Sequence, residues 1–353
     1  MSSNVSTNVN SGIKIDEYSV YTYHSLQYSK DDYTKFGKGG LKNLGNTCGF
    51  NAIFQTLKHT LCLVDYFLTN KHRVLWQDNV RLAFPAATDA RDFVLNIEYL
   101  FKTMWTKNTV LKPRRILKKM SHDGGQEDAS EIFLRVIDTL RTALSIRTTV
   151  TIYGAPETKY DHLKVKACEA WKETYQNQYS ILNDLFDTIL HTRIVCGECN
   201  HEINTFSPET VIMIQKNDCL QSALSVFSSS SVLDEYACSG CSKVGTCTTM
   251  TKLWSTSRYI VIMFTDESQL VTLKDTVDFT QYYTDARNRK YLYSPYSAIV
   301  HRGTRDFGHY YSITRNCVTD EWLKYDDEDT TRFSPESTVM TCMLFLYRKS
   351  IES

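Results

Sequence analysis

The chain has 353 residues, and 40 Lys and Arg balance 40 Asp and Glu, so the formal net charge is zero. That balance disfavours nucleic acid or an anionic membrane as the main partner. An apolar share of 42%, with only 14 glycines and 6 prolines, excludes collagen-like and Pro/Gly-rich disordered classes. The length suits about two domains, or one large domain with lobes. No apolar run approaches the roughly 20 residues of a bilayer span, and the polar start lacks a signal-peptide core.

Residues 1–36 are rich in Ser, Asn, Thr and Tyr and read as a flexible N-terminal arm whose tyrosines can dock on the body. Ordered structure is expected from about Gly39-Gly40. Phe50, Ile53, Phe54, Leu57 and Leu61 form one helical stripe, and Phe133, Val136, Ile137, Leu140 and Leu144 form another. Beyond about residue 190 the pattern turns to strands. Thr210–Gln215, Tyr259–Phe264, Tyr296–His301, His309–Thr314 and Met343–Tyr347 are short β-rich runs. Ser228 to Ser231 reads as an exposed turn. Helices first and strands later predict an α+β fold with two facing lobes and a cleft between them.

The 11 cysteines favour reduced thiols, a metal site or a nucleophile over a disulfide framework. Cys48 ends the segment Gly40-Leu-Lys-Asn-Leu-Gly-Asn-Thr-Cys48 and opens the first helical stripe, with Asn46 or Thr47 as cap. A helix N-terminus favours thiolate, although a buried structural cysteine fits the same position. A thiolate needs a base, and His309 follows Gly308 at the start of a strand. Asp326, on a neighbouring hairpin strand, would hold the imidazole through Nδ1–H. Taken alone, His309 reads more readily as a surface histidine, and Asp326-Asp327 as a turn start.

Taken together, these residues resemble the ubiquitin-specific protease family of cysteine deubiquitinases. The segment ending in Cys48, with Asn51 and Gln55, resembles its cysteine box. Gly308-His309-Tyr310 with Trp322, Tyr325, Asp326 and Asp327 resembles its histidine box. Gln126-Glu-Asp-Ala-Ser-Glu131 resembles its acidic segment, and Leu344-Phe-Leu-Tyr-Arg348 its closing strand. The resemblance runs from about 39 to 348. It implies a papain-like fold in a right-hand arrangement: helical thumb, β-rich palm and zinc-tipped β fingers. The catalytic domain would cover 37–350, with the fingers inserted at roughly 190–260.

The resemblance makes Cys48 the nucleophile, His309 base and acid, Asp326 the orienting carboxylate and Asn43 an oxyanion-hole donor. Gln126, Asp128, Glu131 and Tyr310 would line a channel for the ubiquitin tail, whose arginines suit carboxylates. Asp128 and Glu131 also suit the first turn of a helix. Gly49 replaces the usual bulky residue, which is expected to loosen packing beside the channel. Ser130 replaces the usual histidine of the acidic segment. Met263-Phe264-Thr265-Asp266 replaces the usual Leu-Lys-Arg-Phe.

Cys196-Gly-Glu-Cys199 and Cys238-Ser-Gly-Cys241 form two C-x-x-C pairs, the spacing of a closed, structural four-thiolate Zn2+ site. Cys219 and Cys247 are nearby spares. Cys62, Cys168, Cys317 and Cys342 read as ordinary thiols. The expected function is hydrolysis of the bond after the C-terminal glycine of ubiquitin, with no organic cofactor. The alternatives are a catalytically weak ubiquitin-binding scaffold and a protease for a ubiquitin-like modifier. Ubiquitin, ubiquitinated proteins and regulatory proteins are the expected partners, and cytoplasm, nucleus or both the expected location.

Overall fold

A computed structural model describes residues 5–6, 14–17, 30–77, 88–120, 124–148, 151–265, 268–286, 289–304, 307–316 and 318–349. The first half is helical: Cys48–Lys58, Leu61–Leu68, Lys71–Gln77, Thr88–Met104, Arg114–Lys119 and Ala129–Leu144. Every residue of Cys48–Lys58 is buried, because this helix lies between Ala129–Leu144 and the strand Gly308–Arg315. The stripe ending at Leu61 is not one helix. His59 and Thr60 donate to Thr56 and Leu57 carbonyls in tightened turns, and Leu61 opens a new helix. The Thr60 hydroxyl instead pairs with the Tyr296 hydroxyl at 2.8 Å, fixing the break to the sheet.

The second half centres on an eight-stranded sheet. Its main path runs Asp329–Arg332, Trp322–Asp326, Gly308–Arg315, Leu292–Gly303, Met343–Arg348, Tyr259–Thr265, Ile212–Gln215. The two central strands are apolar on both faces. Tyr259, Val261, Met343 and Phe345 pack into the core shared with the helices. Ile260, Ile262, Leu344 and Leu346 pack into a second core behind the sheet. Burial on both sides is why these runs show no polar alternation.

A separate antiparallel sheet projects from the body, in the order Glu202–Glu209, Thr188–Cys196, Val244–Ser255, Ser230–Ala237. Of the serine run, Ser230 and Ser231 belong to its edge strand.

Order begins before Gly39. Lys14–Glu17 pairs with Thr151–Tyr153, and Lys30–Lys35 is helical. Tyr33 is fully buried against Trp105, ring centroids 4.7 Å apart. A tyrosine that loses its hydration so completely ties down the chain around it. Val5–Ser6 pairs in turn with Lys14–Glu17, and residues 1–4, 7–13 and 18–29 of the predicted arm lie outside the described residues. Lys58 anchors the next stretch. Its ammonium is buried, donates to the Gly37 carbonyl at 2.6 Å and sits 4.1 Å from the Tyr325 ring centroid. Desolvation holds its pKa well below the ordinary lysine range. The Tyr325 hydroxyl donates to the same carbonyl at 2.7 Å, so the residues before the cysteine segment are fixed to the strand that carries Asp326.

Candidate active site

Gly45 and Asn46 both take positive φ, 105° and 50°, and turn the chain into the helix at Thr47. Thr47 occupies the cap position, but its hydroxyl accepts from the Leu44 amide at 2.9 Å rather than capping the helix. Cys48 is therefore the first helical residue, 4% exposed.

The thiol is not pushed toward thiolate as its helix position predicted. Burial raises its pKa, and the nearby Asp327 charge adds to the rise. The backbone amide of Tyr310 opposes both but does not reverse them. Alkylation of Cys48 by iodoacetamide in the free protein is accordingly expected to be slow at neutral pH. Its rate should climb with pH to a midpoint above that of an ordinary thiol. A midpoint below that of free cysteine, measured by mass spectrometry of the Cys48 peptide, would contradict the buried, proton-holding site.

His309 and Asp326 meet as the paired strands predicted, with His309 Nε2 2.6 Å from Asp326 Oδ1. The carboxylate takes Nε2, not the expected Nδ1. With Nε2 engaged by Asp326, Nδ1 is the ring nitrogen left open. Burial raises the Asp326 pKa, but hydrogen bonds from Lys324 and His309 outweigh it and bring it below the usual range. Lys324 Nζ lies 2.6 Å from Asp326 Oδ2. Sequence reasoning missed Lys324, although it stands two residues before Asp326, on the same face of the strand. Among the described residues no hydrogen bond joins Cys48 to His309. The thiol's neighbour on that strand is the Tyr310 backbone.

Asp327 ties the cysteine segment to its own strand turn. Its Oδ2 accepts from Asn43 Nδ2 at 2.8 Å and its Oδ1 from Asn51 Nδ2 at 2.7 Å. Its carbonyl accepts from the Leu41 amide at 2.8 Å. Asn43 Oδ1 in turn accepts from the Gly45 amide at 3.0 Å. One N–H of the Asn43 carboxamide is therefore committed to Asp327, and the second has no hydrogen-bond partner among the described residues.

Beside this centre lies a cavity of about 840 Å3, lined among others by Gln126, Asp128, Glu131, His301, Tyr310 and Met343. Asp128 caps the helix Ala129–Leu144 by accepting from the Ser130 amide at 2.7 Å, and it also accepts from the Tyr310 hydroxyl at 3.3 Å. Its carboxylate is partly engaged, whereas Glu131 is exposed with no ion pair among the described residues. Gln126 Oε1 accepts from the Gly308 amide at 3.0 Å, which ties the acidic segment to the histidine strand. Gly49 loosens nothing. A Cβ there would come within 2.8 Å of Ile132 Cδ1, so Ile132 already fills the space.

At the far end of the projecting sheet, the thiols of Cys196, Cys199, Cys238 and Cys241 all lie within 4.8 Å of one another. Cys199 Sγ and Cys238 Sγ are 3.7 Å apart. A tetrahedron with Zn–S bonds of about 2.3 Å has an edge of about 3.8 Å, so these donors suit a tetrahedral thiophilic ion. Asn200 and Ser242, each just past the second cysteine of a pair, take positive φ and close the two turns. Cys317 lies outside the described residues.

The family model described as "Ubiquitin carboxyl-terminal hydrolase" matches residues 39–347. The chain is 26% identical over 329 residues to "Ubiquitin carboxyl-terminal hydrolase Usp2" of Drosophila melanogaster, covering 86% of this chain and 34% of that protein. It is 27% identical over 343 residues to Homo sapiens "Ubiquitin carboxyl-terminal hydrolase 2", covering 88% of this chain and 54% of the relative. The chain thus spans between about a third and about half of these relatives' length. A solved structure of the SAGA DUB module, Ubp8 with Sgf11, Sus1 and Sgf73 bound to monoubiquitin, superposes with a TM-score of 0.69 at 15% identity. It covers 95% of this chain and 73% of that one. That likeness gives the fold: papain-like, with helical, palm and finger parts arranged as in a right hand. The match over 39–347 takes in Cys48, His309, Asp326 and both cysteine pairs. The chain belongs to the ubiquitin carboxyl-terminal hydrolase family, in its ubiquitin-specific protease branch.

Proposed function

We propose that this chain is a thiol-dependent deubiquitinase that cleaves the isopeptide or peptide bond after the C-terminal glycine of ubiquitin. The observation that carries it is the His309–Asp326 pair, set on the strand whose Tyr310 backbone reaches the Cys48 thiol. In this reading His309 takes the thiol proton at Nδ1, while Asp326 holds the ring through Nε2. Cys48 sulfur attacks the glycine carbonyl, and the free N–H of Asn43 meets the oxyanion. His309 returns the proton to the leaving lysine amine, and a thioester forms. Water activated by the same imidazole then releases ubiquitin. Glu131 supplies an unpaired carboxylate in the channel for the arginines of the ubiquitin tail, with Asp128, Gln126 and Tyr310 shaping its wall.

Ubiquitin carrying a C-terminal electrophile tests this directly. A covalent adduct at Cys48 is expected, with weaker or absent reaction for the ubiquitin-like modifiers run in parallel. Binding without an adduct would leave a ubiquitin-holding scaffold, and reaction with another modifier alone would change the substrate. Cytoplasm, nucleus or both suit the reduced thiols this chemistry needs.

The four-cysteine cluster is proposed to hold one structural zinc ion that fixes the fingertip and takes no part in bond cleavage. Cys199→Ser should drop zinc content from one ion per chain to well below it. It should also speed hydrogen exchange in the Cys196–Cys199 and Cys238–Cys241 turns and weaken ubiquitin binding. Alkylation of Cys48 should be unchanged, because the two sites share no element. Active, well-folded wild-type protein without zinc would refute this site.

A further inference from the structure

A fifth thiol lies against the cluster. Cys247 is 1% exposed and packs with Cys196 and Cys238 in one buried cluster. The two residues face each other across antiparallel strands. The Cys196 amide donates to the His201 carbonyl on the opposite strand, while Gly197 bonds to the Thr246 carbonyl. Cys196 and Cys247 therefore form a non-hydrogen-bonded cross-strand pair, whose Cα atoms stand about 4.5 Å apart, with side chains on one face. That spacing lies within the range a disulfide accepts without backbone movement.

We propose that Cys247 is the resolving thiol of a redox switch in the fingers, forming a Cys196–Cys247 disulfide that is mutually exclusive with a metal-loaded cluster. This inference rests on the proposed metal site, not on the deubiquitinase activity. Cys199 is the exposed member of the cluster, so a hydroperoxide meets it first. Its thiolate sulfur attacks one peroxide oxygen. The S–O bond forms, the O–O bond breaks, and the leaving oxygen departs as water or an alcohol after gaining a proton. Cys196, within 4.8 Å, attacks the Cys199 sulfenic sulfur and expels hydroxide, which leaves as water. Cys247 then attacks the Cys196 sulfur and releases Cys199 as thiolate. Two thiols are oxidised by two electrons and one hydroperoxide is reduced. The ion loses Cys196 and leaves, while the two strands stay stapled in register for reloading.

The test treats the purified full chain with hydrogen peroxide, follows zinc release with a metallochromic dye, and maps disulfides after alkylation. Zinc release should parallel a Cys196–Cys247 link, and dithiothreitol with zinc should reverse both. Cys247→Ala should hold zinc as well as the wild type before oxidation but recover much less of it afterwards. Oxidised wild type whose mapped links omit Cys247 would overturn the switch, as would equal recovery by the variant. If Cys247→Ala fails to fold, the wild-type map still decides. Metal analysis before oxidation separates failure of the zinc site from failure of the switch, because the link can be mapped without metal.

Discussion

Cys48→Ala should bring ubiquitin hydrolysis below detection and abolish the electrophilic adduct, while the Kd for ubiquitin stays within about threefold of wild type. The thiol supplies the nucleophile that cleaves the glycine–lysine bond in the proposed reaction, and losing a small, buried sulfur removes little contact surface. The helix start should survive, because Asn51 bonds to the Thr47 carbonyl and Thr47 to Leu44 whatever residue 48 carries. Hydrolysis assays with a fluorogenic ubiquitin substrate and calorimetric titration with ubiquitin read the two quantities separately. Parallel loss of binding and turnover would mark Cys48 as a packing residue.

The two carboxylates should fail in different ways. Asp326→Asn replaces the acceptor at His309 Nε2 and the partner of Lys324, and kcat should fall by roughly 10^3–10^4. Asp327→Asn turns one oxygen into an N–H2 that faces the N–H2 of Asn43 or Asn51, since both now donate to it. The oxyanion donor is then misaimed, and kcat should fall by ~10^2–10^3. The double clamp on Asn43 and Asn51 sets this cost. Rescue of the histidine-dependent pH profile separates the pair. Asp326→Asn should distort that profile, whereas Asp327→Asn should lower its height and leave its shape. A costlier loss at Asp327 would exchange their roles.

What the sequence made legible was local. The central strands stood out because burial on both faces writes a continuous apolar run, as in Tyr259–Thr265. The Cys48 turn was visible because Gly45 is needed where φ is positive. The helix Lys159–Tyr175 was missed because it buries only Asp161, Ala167 and Tyr175 and so leaves no apolar stripe. The Asn43–Asp327 bond joins residues 284 positions apart, which no local pattern encodes. The ring edge offered to Asp326 depends on side-chain rotation, and the state of the Cys48 thiol on burial from several elements. Both are properties of packing that residue spacing alone does not carry.

The order of the large sheet also bears on when the proposed active site can assemble. Met343–Arg348 is the latest of its strands in sequence, yet it lies in the middle, pairing with Leu292–Gly303 on one side and Tyr259–Thr265 on the other. Until the ribosome has released it, the half-sheet that bears His309 and Asp326 has no seam with the half behind the helices. Closing that seam is a long-range step, slow compared with helix formation. Cys48 precedes Met343–Arg348 by almost 300 residues in the chain, so its helix is made well before this strand seals the sheet that carries His309 and Asp326. In the proposed reaction, a chain that stops short of this strand therefore holds Cys48 without the completed sheet that positions His309 and Asp326, and cleavage waits for the strand.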